Sequence, residues 1–154
     1  MGADKYFRYG PIGLNLNSFS NNLYKSIISG QDFKIFGNNH KTLDGTPVRD
    51  FIHVDDLANI HFESLKYLIK NKKNQICNCG YGKGYSIEQV IKTLLKNKEM
   101  NLNYSFSKKR PGDISYMVAD TKKLNRILNW KPKYSNLKKM IFSELKWRNK
   151  LTNN

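Results

Sequence analysis

The apolar positions change period along the chain, and each change marks an element. Leu23 and Ile27 recur at helical spacing after Ser18 and Ser20, either of which can cap a helix, and Gly30 supplies a stop after Ser29. DFKIF (32–36) alternates and predicts a short strand. NNHKTLDGT follows as a turn centred on Asp44-Gly45. VRDFIHV (48–54) predicts a second strand, and Asp55 or Asp56 then opens a helix carrying Leu57, Ile60, Leu65 and Leu68. NQICNCG (74–80) predicts a strand running into a glycine loop. Ser86 and Gln89 form a Ser-x-x-Gln capping box ahead of a stripe of Ile87, Val90, Ile91, Leu94 and Leu95. NLNYSFS (101–107) places Leu102, Tyr104 and Phe106 on one strand face. Asp120 caps a helix with Leu124, Ile127 and Leu128. A last amphipathic helix runs from Asn136 to about Arg148, with Leu137, Met140, Ile141, Leu145 and Trp147 inward. Residues 1–17 have no period and read as a loop. Strands alternating with helices predict an α/β architecture.

The bulk composition changes this picture little. The 154 residues suffice for one core-bearing domain. No apolar run approaches the roughly 20 residues that cross a bilayer, and the N-terminus has no secretory pattern. Cys77 and Cys79 make no disulfide framework, so a reduced, cytoplasmic setting is expected. The net charge of +15 raises the possibility of a nucleic-acid partner. Of the 27 basic residues, however, 22 are Lys and 5 are Arg, and Asn reaches 19. Lys and Asn rising together reads as AT-rich coding, and the lysines are scattered. No nucleic-acid or membrane partner is expected.

Several patterns resemble chemistry without its spacing. CGYGKG (79–84) has G-x-G-x-G where a dinucleotide loop needs G-x-G-x-x-G, and its helix starts too late. It reads as a tight turn eased by Gly80, Gly82 and Gly84. Cys77 and Cys79, two apart on the expected strand, point to one face. With His40, His53 and His61 at no ligand-like spacing, no metal site is expected. Tyr104…Lys108 and Tyr134…Lys138 match Tyr-x-x-x-Lys, but neither Tyr lies within a helix that would stack the pair. Two loop arginines carry more. Arg49 follows the Gly45 turn, and Arg110 opens Arg-Pro-Gly-Asp. A guanidinium fork suits phosphate oxygens. Asp113, three residues after Arg110, either accepts from a sugar hydroxyl or pins its own loop to that arginine.

The stretches FGNNHKTLDGTPVRDFIHVDDLANIH, CNCGYGKGYSIEQVI, KKRPGDISYMVADTKKLNRILNWKPKYS and SELKWRNK closely resemble the UDP-glucose 4-epimerase family of extended short-chain dehydrogenase/reductases. The register runs without gaps from about Phe36 to Tyr134. The resemblance implies the α/β C-terminal substrate-binding part of that fold, about the last 45% of a typical length, without the N-terminal Rossmann NAD-binding half or the catalytic Tyr-x-x-x-Lys. It implies that Arg49 and Arg110 hold the diphosphate of a UDP-sugar and that Asp113 bonds ribose hydroxyls. Phe36 and Ile87 line the uracil side, with backbone contact near Lys34. NAD serves the full-length family, and none is expected on this chain alone. The implied partners are a UDP-sugar and the missing NAD-binding half, on the same or a separate chain, and the resemblance also allows a homodimer. Phe51 stands where the family often has Tyr, and Gly30 to Phe36 is about two residues shorter than usual.

Overall fold

The computed structural model describes residues 1–12, 18–97 and 100–152. The loop expected over 1–17 therefore falls partly outside the described residues. In chain order the elements are α1 (Phe19–Ser29), β1 (Phe33–Phe36), β2 (Val48–Arg49), α2 (Val54–Asn71), β3 (Tyr85–Ser86), α3 (Ile87–Leu95), β4 (Tyr104–Ser107), β5 (Tyr116–Met117), α4 (Lys122–Ile127) and α5 (Leu137–Thr152). Two small sheets organise them. β1 and β4 run parallel, with Phe33 opposite Tyr104. β2 lies between β3, antiparallel, and β5, parallel.

Local chemistry sets the helix ends. The Ser18 side chain accepts from the Asn21 amide at 3.3 Å, and Gly30 closes α1 at φ 67°. At α3, Ser86 and Gln89 complete the expected capping box, worth about 1 kcal/mol. Asn136 Oδ1 accepts from the Lys139 amide at 3.0 Å and starts α5, which continues past Arg148 to Thr152. At α4, Asp120 Oδ1 accepts from the Lys122 amide at 3.0 Å, although the capping position itself belongs to Thr121.

The larger core lies between α1, β1, α3 and α5. Leu23, Ile35, Val90, Ile91, Leu94 and Met140 are its centre, and the expected inward residues of α5 are all buried. Beside it, Arg148 bonds Glu144 at 3.0 Å and Asn21 Oδ1 at 3.0 Å, so its buried charge is paired. A smaller cluster joins Ile60, Leu124, Leu128 and Trp130. Tyr81 packs on both clusters.

Several expectations are corrected. His53 caps α2, its Nδ1 accepting from the Asp55 amide at 3.1 Å, while Asp55 and Asp56 sit in the first turn and favour the helix dipole there. The strand expected over 48–54 spans only Val48–Arg49; the Asp50 amide still donates to the Met117 carbonyl at 3.1 Å, while its carboxylate binds a glycine loop. NQICNCG forms no strand: a strand needs a ladder partner, and none flanks this segment among the described residues. The shared face assigned to Cys77 and Cys79 falls with it. On α2, Ile60 is buried but Leu65 and Leu68 are 53% and 42% exposed, so the apolar stripe is only partly covered. In β4, too, Phe106 is 45% exposed, so it does not share the burial of Leu102.

Candidate functional site

The turn between β1 and β2 is built to hold its two ends in place. Asp44 Oδ1 accepts from the Thr46 amide at 2.9 Å and the Thr46 hydroxyl at 2.7 Å. Its second oxygen takes the Ser86 hydroxyl at the start of α3. Burial raises the Asp44 pKa, but these hydrogen bonds prevail and hold it below the usual carboxylate range. The Glu88 amide donates to the Thr46 hydroxyl at 3.2 Å. Gly45 has φ 77°, and a Cβ there would lie 2.1 Å from the Asn38 carbonyl oxygen, so only glycine fits. The turn is thereby docked onto α3, with Phe36 at one end and Arg49 at the other.

β2 sends its arginine one way and the following residue another. The Arg49 Nη1 donates to the Val48 and Ile114 carbonyls at 2.9 and 2.8 Å. Its Nη2 donates to Asp113 Oδ1 at 3.0 Å, with both side chains about a fifth exposed. The guanidinium is therefore clamped between β2 and the 110–114 loop. Of its five N–H donors, Nε–H and one on Nη2 have no partner among the described residues. Asp50 Oδ1 accepts from the Tyr81 amide at 3.0 Å, and Oδ2 from the Gly82 amide at 2.9 Å. The Asp50 carboxylate thus takes up two backbone amides of the glycine loop.

Arg49 faces a cavity of about 550 Å3, in the range of small-ligand sites. All six residues expected at a ligand site, Lys34, Phe36, Arg49, Ile87, Arg110 and Asp113, line it. They come from β1, β2, the start of α3 and the 110–113 loop. The alternative pairing of Arg110 with Asp113 does not occur; Asp113 pairs with Arg49 instead. The Arg110 guanidinium lies 3.6 Å from the Phe36 ring centroid, a cation–π contact that covers one face of the ring. Lys34 Nζ is engaged by Asp32 and Ser105, each at 2.7 Å. That hydrogen bond from Lys34, with one from Ser105, lowers the Asp32 pKa.

The sequence reading missed the wall built by α1. Phe19, Asn22, Lys25 and Ser26 line the cavity at helical spacing. The available signal was the polar face of α1 opposite Leu23 and Ile27. Pro47 and Phe51 complete the lining beside β2. No group of three or more His, Cys, Asp or Glu side chains could hold a metal among the described residues. Cys77 and Cys79 are free, and no described helix is long and apolar enough to cross a membrane.

Fold and site together define an α/β protein with a cavity lined by Arg49 and Arg110, and comparison with known proteins supplies the family. The profile of the NAD dependent epimerase/dehydratase family matches residues 8–80. A UDP-glucose 4-epimerase of Lactobacillus helveticus is 38% identical over 127 residues, which is 82% of this chain and 38% of that protein. One from Bacillus subtilis is 34% identical over 94% of this chain and 44% of its own length. Among solved structures, the UDP-glucose-4-epimerase of Stenotrophomonas maltophila with bound NAD and formylated UDP-arabinopyranose superimposes with a TM-score of 0.90 at 27% identity, covering 99% of this chain and 46% of that one. The UDP-glucose 4-epimerase of Bifidobacterium longum in complex with NAD+ and UDP gives 0.80 at 32%, covering 99% and 45%. The chain belongs to the NAD-dependent epimerase/dehydratase family, with UDP-glucose 4-epimerases as its relatives. It spans less than half the length of those relatives.

Proposed function

We propose that this chain holds the UDP moiety of a UDP-sugar within a 4-epimerase that interconverts UDP-glucose and UDP-galactose. The observation that carries the reading is the Arg49 guanidinium, clamped by three bonds yet with two donors unpartnered among the described residues, at a cavity shared with Arg110. A preorganised fork loses little freedom on binding an oxyanion. The second oxygen of Asp113 is available to ribose hydroxyls, and Ile87 offers an apolar wall to the base. The sugar extends away from this grip, so that the nucleotide is held while the hexose stays mobile. The free cysteines suit a reduced, cytoplasmic setting.

Titration calorimetry of the purified chain with UDP tests this. Saturable binding with a raised melting temperature is expected; no heat and no shift would refute it. The glycine loop does not fit NAD, and neither Tyr-x-x-x-Lys pair is stacked on a helix. Tyr134, for one, precedes α5 and stacks on His53 at 4.6 Å. Conversion of UDP-galactose by this chain alone is therefore not expected.

A second reading, that the chain completes itself with an NAD-binding half on the same or a separate polypeptide, is favoured by the outer face of α2. Phe62, Leu65, Leu68 and Ile69 leave apolar surface bare there, and Ile76 is 89% exposed on the neighbouring segment without a ladder partner. Co-expression with the N-terminal half of the Lactobacillus helveticus relative should give a co-purifying pair that interconverts the two UDP-sugars. Failure to co-purify, with the chain itself soluble, counts against it.

A further inference from the structure

We propose that Lys25, on α1, is a third cationic ligand of the bound nucleotide and sets its preference for a diphosphate over a monophosphate. The inference rests on the reading of the cavity as a UDP site. Four cations line the cavity: Lys25, Lys34, Arg49 and Arg110. Lys34 is neutralised by Asp32 and Arg49 by Asp113. Among the described residues, the Arg110 guanidinium has the Phe36 ring beneath it and no ion pair. Lys25 is half-buried on the cavity wall and has no hydrogen bond or ion pair among the described residues. A half-buried ammonium without a counter-charge favours an anion arriving from outside. Two unneutralised cations from separate elements match a ligand with two anionic phosphoryl groups. Asn22, one turn before Lys25, and Ser26, its neighbour in the chain, also line the cavity and make that wall polar. This assignment divides the work. Arg49, already offset by Asp113, contributes fixed geometry, and Lys25 and Arg110 contribute net charge.

The test is calorimetry of the full chain with UDP, UMP and uridine at low and moderate salt, for the wild type, Lys25→Met and Lys25→Arg. Methionine keeps the unbranched stem and removes the charge. Lys25→Met should lose about tenfold in UDP affinity and leave uridine within about twofold. Its preference for UDP over UMP should shrink, and the salt dependence of UDP binding should flatten. Lys25→Arg should restore both. Unchanged UDP affinity in Lys25→Met, or an equal loss for uridine, overturns the role of Lys25 while leaving the site intact. Failure of the wild type to bind UDP overturns the site reading itself and this inference with it.

Discussion

Replacing Arg49 with alanine separates what the residue does for the fold from what it does for a ligand. In the free chain the substitution removes two bonds to backbone carbonyls and one to Asp113. Each is partly solvent-exposed, so the net loss is about 1–2 kcal/mol in total rather than the full strength of three charged bonds. For a chain of this size that lowers the melting temperature by about 3–6 °C. The ligand effect is separate. Two uncommitted donors meeting a phosphate would together supply about 1.5–3 kcal/mol, so UDP affinity should fall roughly 10- to 150-fold. Arg49→Lys retains the charge but cannot span Val48, Ile114 and Asp113 at once. It should recover part of the affinity and little of the lost stability. Scanning fluorimetry without ligand reads the first quantity, and titration calorimetry with UDP reads the second. If Arg49→Ala melts several degrees lower yet binds UDP as tightly as the wild type, Arg49 is a structural brace and the phosphate assignment is wrong.

Three further outcomes follow from the geometry. Asp56 is buried and accepts from the Tyr81 hydroxyl at 2.6 Å and from the Lys133 and Tyr134 amides at 3.0 and 2.8 Å. Asp56→Ala should cost about 3 kcal/mol in urea unfolding by stranding those donors, and a cost below about 1 kcal/mol would contradict the network. Burial lowers the pKa of His53 despite the nearby carboxylates. The unfolded chain therefore takes up that proton first, and the stability His53 contributes is complete above about pH 6.5 and lost as pH falls below it. His53→Asn keeps a cap without the titration, so its urea midpoint should fall less between pH 7 and 5; an identical fall would exclude His53. Gly45→Ala should destabilise by about 2–3 kcal/mol through positive φ and the Asn38 carbonyl, and a near-neutral thermal melt would show that the turn is adaptable.

The legibility of the sequence depended on how local each element's cause was. α1 and α3 carry their own start signals, and α5 carries its own apolar stripe, so all three were readable. The six cavity residues were brought together by resemblance and by the scarcity of arginine, not by periodicity. His53 was missed as a cap because imidazole seldom serves there, whereas Asp55 and Asp56 look the part. The NQICNCG strand failed because a local strand preference needs a neighbouring strand to satisfy it. Lys25 was hidden among 22 lysines. Its distinction lies in lacking a counter-ion inside a cavity, which no linear pattern displays.

Tyr81 belongs to both hydrophobic clusters, stacks near Trp130 at 6.3 Å, and ties α2 down through Asp56 and the His53 amide. One phenol ring thus rivets two small cores into a single cooperative unit. Loosening either half exposes the other, and calorimetric melting should follow one endotherm with no plateau between.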